Sequence, residues 1–328
     1  MIGVSTEVLG SVGYLTLTKP ATLNAITSDM VGELHNGLQE HERNAQVGVI
    51  VLQSTSETAF CAGGDMKQIR QWVIEGDKRS IKHFFTQEYA LNLAIAECSK
   101  PYISLIDGIA MGGGLGLSVH GQFVVVTEQA VMAMPESRIG FFPDVGASHF
   151  LQNLPYNCGK WLALTAAPVK GQQTVQVGLA THHIQRNHLS TLLTRLEMME
   201  TEDVNSSQLM IQNCLDSFSE KTIDEQFNSE LERRKEWFSG NDIESIKKGL
   251  NDASHESKDA ERLATLLKKG SPYSYEITLS LLEKTKGMTL ENCLTVELEL
   301  AMQAAFHPDL VEGIRAVLVD KDHEASWA

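Results

Sequence analysis

The sequence predicts an α/β fold, with strands alternating with helices over residues 1–187 and a helical region over residues 188–328. Three observations predict it. Short runs rich in β-branched residues recur through the first half, with helix-period stretches between them. Glycine-rich turns fall where strands hand over to helices. From about His188, leucines at helical spacing among Glu, Lys and Arg replace the strand pattern.

Taken in order, residues 12–17 and 47–52 read as strands. Between them Met30, Leu34 and Leu38 recur at helical spacing, with Ser28 or Asp29 available as a cap. An amphipathic helix is expected over residues 80–98, and a strand over 102–106 after Lys100-Pro101. Residues 123–127 and 131–134 read as further strands, and His120 is expected as a core histidine in a buried helix. In the second half Leu189, Leu192, Leu193 and Leu196, then Leu263, Leu266 and Leu267, mark amphipathic helices joined by turns such as Gly270-Ser271-Pro272. A boundary is placed at Gln185–His188, giving a core over 1–187 and a helical region over 188–328.

Composition narrows the partners. The chain of 328 residues is 42% hydrophobic and carries a formal charge of −15. Residues 1–187 hold 15 acids and 12 bases (−3), against 27 and 15 (−12) in residues 188–328. This balance argues against nucleic acid or anionic membrane as the main partner, and leaves the glycine-rich half free to meet an anionic ligand. No apolar run reaches the length of a membrane span. Five scattered cysteines without a CxxC pair, and a start (MIGVSTEVLG) without a secretory pattern, point to reduced thiols in the cytoplasm, with a mature mitochondrial form as the alternative.

Three segments depart from ordinary core composition: Phe60 to Lys67 with Gly63-Gly64, Ile109 to Leu117 with Gly112-Gly113-Gly114, and Met134-Pro135-Glu136-Ser137 leading to Phe142-Pro143-Asp144-Val145-Gly146. Glycine ahead of a helix allows close backbone approach and leaves amide N–H groups without partners at the positive helix end. One such amide from each turn could hold an oxygen that becomes negative; tight turning alone is the competing reading. Residues 130–147 hold just three Asp, Glu, Lys or Arg side chains, Glu136, Arg138 and Asp144. Carboxylates among Met, Ile, Phe and Val are costly unless paired, bonded or functional, although loop charge and turn capping remain open readings. Neither glycine turn has the phosphate-loop or Rossmann spacing. No cysteine or histidine cluster has metal-ligand spacing, His182-His183 included, and no Gly-x-Ser-x-Gly elbow occurs.

Together the three segments resemble the crotonase (enoyl-CoA hydratase/isomerase) superfamily, in the order and spacing of the turn at Ala62 to Asp65, the Gly112 to Gly114 turn and Pro135-Glu136. Asn24-Ala25 after Lys19-Pro20 fits the same pattern. Within it, Phe84-Phe85 before Glu88-Tyr89, the run Gly116 to Gly121, Phe142 to Gly146 and Glu312 to Asp322 resemble the 3-hydroxyisobutyryl-CoA hydrolase family. The resemblance implies a crotonase-type spiral core of repeated strand–strand–helix units and an acyl-CoA substrate, with no cofactor beyond the coenzyme A of the substrate and no metal. It implies that Gly64 and Gly113 form an oxyanion hole, and that Glu88, Gly113, Glu136 and Asp144 contact substrate, with Glu136 and Asp144 catalytic. Lys67 is a candidate for a CoA phosphate, an exposed helix lysine being the other reading. A homo-oligomer is left open.

Two departures bear on activity. A hydratase's second glutamate would stand at Gly116, and a carboxylate appears instead at Asp144, where hydratases carry glycine. The sequence stops at Trp327-Ala328, where related hydrolases continue, which leaves the packing of the tail open. The implied activity is hydrolysis of a 3-hydroxyacyl-CoA thioester, 3-hydroxyisobutyryl-CoA leading. Hydration or isomerisation on the same fold and a non-catalytic acyl-CoA-binding module are the rivals.

Overall fold

Runs rich in β-branched and aliphatic residues become the strands. The protein, described by a computed structural model over residues 3–199, 204–220 and 222–328, opens with a hairpin of β1 (Val4–Leu9) and β2 (Val12–Leu17). Every residue of β2 is buried, as expected of a strand covered on both faces, whereas most of β1 is exposed. Then follow β3 (Val49–Ser54), β4 (Ala59–Cys61), β5 (Tyr102–Ile106), β6 (Ile109–Met111), β7 (Phe123–Val126), β8 (Val131–Ala133), β9 (Val169–Lys170) and β10 (His182–His183). One sheet runs β1-β2-β3-β5-β7-β10 and a second runs β4-β6-β8-β9. Apart from the β1–β2 hairpin, the strands of the larger sheet pair in parallel.

Each pair β3–β4, β5–β6 and β7–β8 places its first strand in the larger sheet and its second in the smaller. This is the strand–strand–helix repeat that the family resemblance implies, and the α/β class with a helical C-terminal region is found.

The helices of the first half are α1 (Ser28–Arg43), α2 (Met66–Glu75), α3 (Lys78–Ala96), α4 (Gly113–Gly116), α5 (Ala147–Phe150), α6 (Cys158–Thr165) and α7 (Gln172–Gln176). Then come α8 (Leu189–Glu197), α9 (Val204–Phe218), α10 (Glu225–Trp237), α11 (Ile243–Ala253), α12 (Lys258–Leu267), α13 (Pro272–Lys284), α14 (Leu290–Ala304) and α15 (Pro308–Ile314). Among the described residues, no helix is long and apolar enough to cross a membrane.

Some local expectations shift. The cap of α1 is Thr27, not Ser28 or Asp29, because Thr27 has the extended backbone that lets its hydroxyl accept from the Met30 amide. The strand expected at 47–52 lies at 49–54. His120 is half-buried in the turn after α4 rather than in a buried helix, since α4 ends after one turn at Gly116.

Residue contacts divide the chain into two units. The first comprises Met1–Gly64, Ala90–Met132 and Val169–Ile223. Its core joins one face of the larger sheet (Val12, Val49, Val51, Ile103, Phe123, Val125) to Leu192, Leu196, Ile211 and Leu215 of α8 and α9. The Tyr14 hydroxyl donates to Glu197 at 2.7 Å, and the Ser11 hydroxyl donates to the Leu196 carbonyl at 2.7 Å, tying the hairpin to the end of α8.

The second unit comprises Asp65–Tyr89, Ala133–Pro168 and Asp224–Ala328. At its centre α6 packs against α10, α12 and α13. Arg234 on α10 is buried, donates to both Asp259 oxygens at 2.7 and 3.0 Å and to Glu230 at 3.0 Å, and lies 4.7 Å from the Trp161 ring centre. Removing one member of a buried pair strands the other charge. Arg234→Leu is therefore expected to lower stability by about 3–5 kcal/mol, read as a shift in the urea unfolding midpoint.

Candidate active site

In the first unit two glycine turns are brought side by side. The Ala62 amide donates to the Leu23 carbonyl at 2.9 Å, and the Ile26 amide donates to the Gly63 carbonyl at 2.8 Å. Asn24, itself at φ +55°, donates its side-chain amide to the Phe60 carbonyl at 2.9 Å and to the Ser54 hydroxyl at 2.7 Å. The loop after Lys19-Pro20 thus clamps the turn that carries Gly64.

Gly63 has φ +100°, and a Cβ there would stand 3.0 Å from the Met111 carbonyl oxygen and 3.4 Å from the Gly113 nitrogen. Only glycine suits both the backbone and the space. Gly112, at φ +51°, precedes α4, and Gly113 is the first residue of that helix. An N–H at that position has no carbonyl one turn earlier to bond.

In the second unit Glu88, Glu136, Asp144 and Glu297 are buried, as is Asp309 further along the chain. Glu88 and the adjacent Tyr89 lie on α3, and the Tyr89 hydroxyl donates to Asp144 Oδ2 at 2.8 Å. Glu136 opens a short 3₁₀ turn, Glu136–Ile139, closed by Gly140 at φ +73°. The turn is fixed from the C-terminal segment. The Ser271 amide donates to the Ser137 carbonyl at 2.9 Å, and any side chain on Gly140 would run into the backbone of Asp309. The buried rings of Phe85, Phe141 and Phe142 stack in sequence, with ring centres 5.6 and 4.6 Å apart.

Asp144 stands before two left-handed residues, Val145 at φ +54° and Gly146 at φ +81°. A β-branched residue in that region is strained by about 1–3 kcal/mol and must be held by its surroundings. Glu297 supplies bonds that hold it. Its Oε2 accepts from the Gly146 amide at 2.7 Å, and its Oε1 accepts from the Ser148 amide at 2.9 Å and the Ser148 hydroxyl at 2.5 Å.

Burial and mutual repulsion dominate the electrostatics. Burial, then the charge of Asp144, pushes Glu136 and Glu88 well above the ordinary carboxylate range. Burial raises Asp144 to about 7 against the opposing bond from Tyr89, and raises Glu297 to about 8 against its bonds from Ser148 and Gly146. A carboxylate raised toward neutrality is a stronger base than one in water. Among the described residues Glu136 Oε2 and Glu88 Oε1 are buried without a hydrogen-bond partner. Such atoms are costly to leave unbonded, and packing alone gives no reason to keep them.

The structure therefore gathers Glu88, Glu136 and Asp144 in the second unit and sets the turns of Gly64 and Gly113 against each other in the first. Lys67 is exposed in the first turn of α2. Tyr89, Ser148 and Glu297 join the site without being among the residues the sequence singles out for it. A signal for Glu297 exists. It falls on the apolar stripe of α14 with Cys293, Leu294, Ala301 and Ala304, where a glutamate is out of place.

The model of the enoyl-CoA hydratase/isomerase family matches residues 12–328. The chain belongs to that family. Relatives within it include 3-hydroxyisobutyryl-CoA hydrolase, mitochondrial, of Xenopus laevis, 37% identical over 97% of this chain and 82% of the relative. The protein of the same name from Homo sapiens is 37% identical over 98% and 83%. Among solved structures, a carnitinyl-CoA dehydratase from Mycobacterium thermoresistibile has a TM-score of 0.89 at 31% identity, covering 99% of this chain and 91% of that one. An enoyl-CoA hydratase from Rhodobacter sphaeroides 2.4.1 has a TM-score of 0.87 at 28% identity, covering 99% and 92%.

For this family member the raised carboxyl groups carry a stability cost with a definite sign. Between the ordinary value of 3.8 and about 7, folded Asp144 keeps a proton that the unfolded chain has released. Its contribution to stability therefore falls as pH rises through that window, and the penalty is absent below it. Asp144→Asn is expected to match the wild type near pH 4 and to exceed it by about 2 kcal/mol at pH 7, measured by urea unfolding at both pH values.

Proposed function

We propose that the protein hydrolyses 3-hydroxyacyl-CoA thioesters, with 3-hydroxyisobutyryl-CoA the leading substrate. The observation that carries this reading is the pair of buried carboxyl groups, Glu136 and Asp144, in a chain more than a third identical to hydrolases of that name.

The reaction adds water across the carbon–sulfur bond and releases a carboxylic acid and the CoA thiol. Charge grows on the thioester oxygen as the carbonyl carbon is attacked. The Gly64 and Gly113 amides are assigned to that oxygen, and removing one such donor typically costs about 3–4 kcal/mol of transition-state stabilisation. Glu136 takes one of two parts: general base toward the attacking water, or nucleophile forming an anhydride that water then opens. In either route the departing sulfur ends as a thiol, its proton coming ultimately from water. Asp144 anchors the 3-hydroxyl or the attacking water, with Glu88 assisting at the acyl end. Lys67 is the assigned contact for a CoA phosphate. No step calls for a metal or a further cofactor.

Hydration is the second reading, because the two structural relatives above are named hydratase and dehydratase. Against it, Gly116 lies buried in α4 with no carboxylate to pair with Glu136 in adding water across a double bond. The buried thiols of all five cysteines suit a reducing compartment, and the relatives' own names specify mitochondria.

Thiol release from a panel of CoA esters, run beside crotonyl-CoA hydration, tests the proposal. Release from 3-hydroxyisobutyryl-CoA with negligible hydration of crotonyl-CoA is expected. Asp144→Gly and Gly113→Val should each lower turnover by roughly a hundredfold or more, the loss of one acid–base group or oxyanion donor. Robust crotonyl-CoA hydration by the wild type, or full thioesterase activity in Asp144→Gly, would restore the hydratase reading.

A further inference from the structure

We infer that Glu297 is a positioning residue for Asp144, acting through the backbone of residues 144–148. The inference rests on the reading of Asp144 as a working carboxylate. Glu297 is fully buried on α14, 151 residues beyond Gly146 in sequence, yet both of its oxygens are spent on one short turn. They receive two backbone amides and one hydroxyl, from Gly146 and Ser148. Both carboxyl oxygens serve as acceptors, and three converging donors fill them.

The turn needs such an anchor. Val145 is held at φ +54° and its side chain is buried, so the strained backbone lies between Asp144 and the first amide that Glu297 binds. Without the carboxylate, two buried amides would lose their acceptor and Val145 would be freer to relax toward an ordinary conformation. The Asp144 side chain would then swing away from the Tyr89 hydroxyl, its 2.8 Å partner. Displacement of a working group by about 1 Å is enough to cost on the order of a hundredfold in rate. Glu297 itself is bonded to the turn at both oxygens, which fits a role exercised through Asp144 rather than on the reacting atoms.

Glu297→Gln keeps the size of the side chain but turns an N–H₂ toward one of the donors. It is expected to lower kcat on 3-hydroxyisobutyryl-CoA by roughly ten- to hundredfold with KM changed less than about threefold. Ser148→Ala, which removes only the hydroxyl donor, is expected to lose less than about tenfold, and serves as the milder probe should the glutamine variant fold poorly. Hydrogen exchange should quicken at Gly146 and Ser148 and stay unchanged in the sheets.

The deciding measurement is a double-mutant cycle. If Glu297 acts through Asp144, Glu297→Gln in an Asp144→Asn background should cost no more than about twofold beyond Asp144→Asn alone. A full, additive loss in that background, or an unchanged kcat in both Glu297→Gln and Ser148→Ala, overturns the positioning role. Wild-type turnover in Asp144→Asn alone would instead overturn the reading of Asp144, while accelerated exchange at Gly146 would still report the anchoring of the turn.

Discussion

Burying Glu88, Glu136, Asp144 and Glu297 in one unit withdraws four like charges from the water that would solvate them. Much of the second unit follows from that constraint. Four fully ionised carboxylates would repel strongly at low dielectric, and burial displaces the proton affinity of each upward. The surrounding structure answers each member differently. Asp144 receives a phenol hydroxyl, Glu297 receives three donors, and Glu136 and Glu88 each keep an oxygen that no described residue satisfies. The groups with protein partners are held by the scaffold.

In the first unit the two glycine turns meet by close backbone approach. A side chain at Gly63 would crowd the Met111 carbonyl, and one at Gly114 would run into the carbonyl of Cys61, so the two turns can approach only because glycine stands at both. Asn24 fixes this approach from a third segment through its bond to the Phe60 carbonyl.

Much of this is legible in the sequence where the physics is local. The β-branched and aliphatic run of β2, the glycine triplet after β6 and the Pro135-Glu136 pair each announce themselves within a few residues. What escapes is set by distance. Tyr89 reads as an aromatic on an amphipathic helix until Asp144 is brought to its hydroxyl, and Ser148 is one serine among many until Glu297 arrives. The cap of α1 is ambiguous because Thr27, Ser28 and Asp29 all have capping chemistry, and only the backbone angles distinguish them. His120 leaves the expected helix because α4 lasts a single turn.

The distance between Gly146 and Glu297 has a consequence for biosynthesis. At about 5–20 residues per second, a ribosome needs roughly 8–30 s to reach the glutamate after completing the turn. During that interval Asp144, the left-handed Val145 and the apolar pair Phe141-Phe142 must wait without their anchor, as must Ser137 for Ser271. The nascent chain thus carries the parts of its chemistry well before it can hold them in place, and it depends in that window on whatever keeps exposed aromatic surface from aggregating.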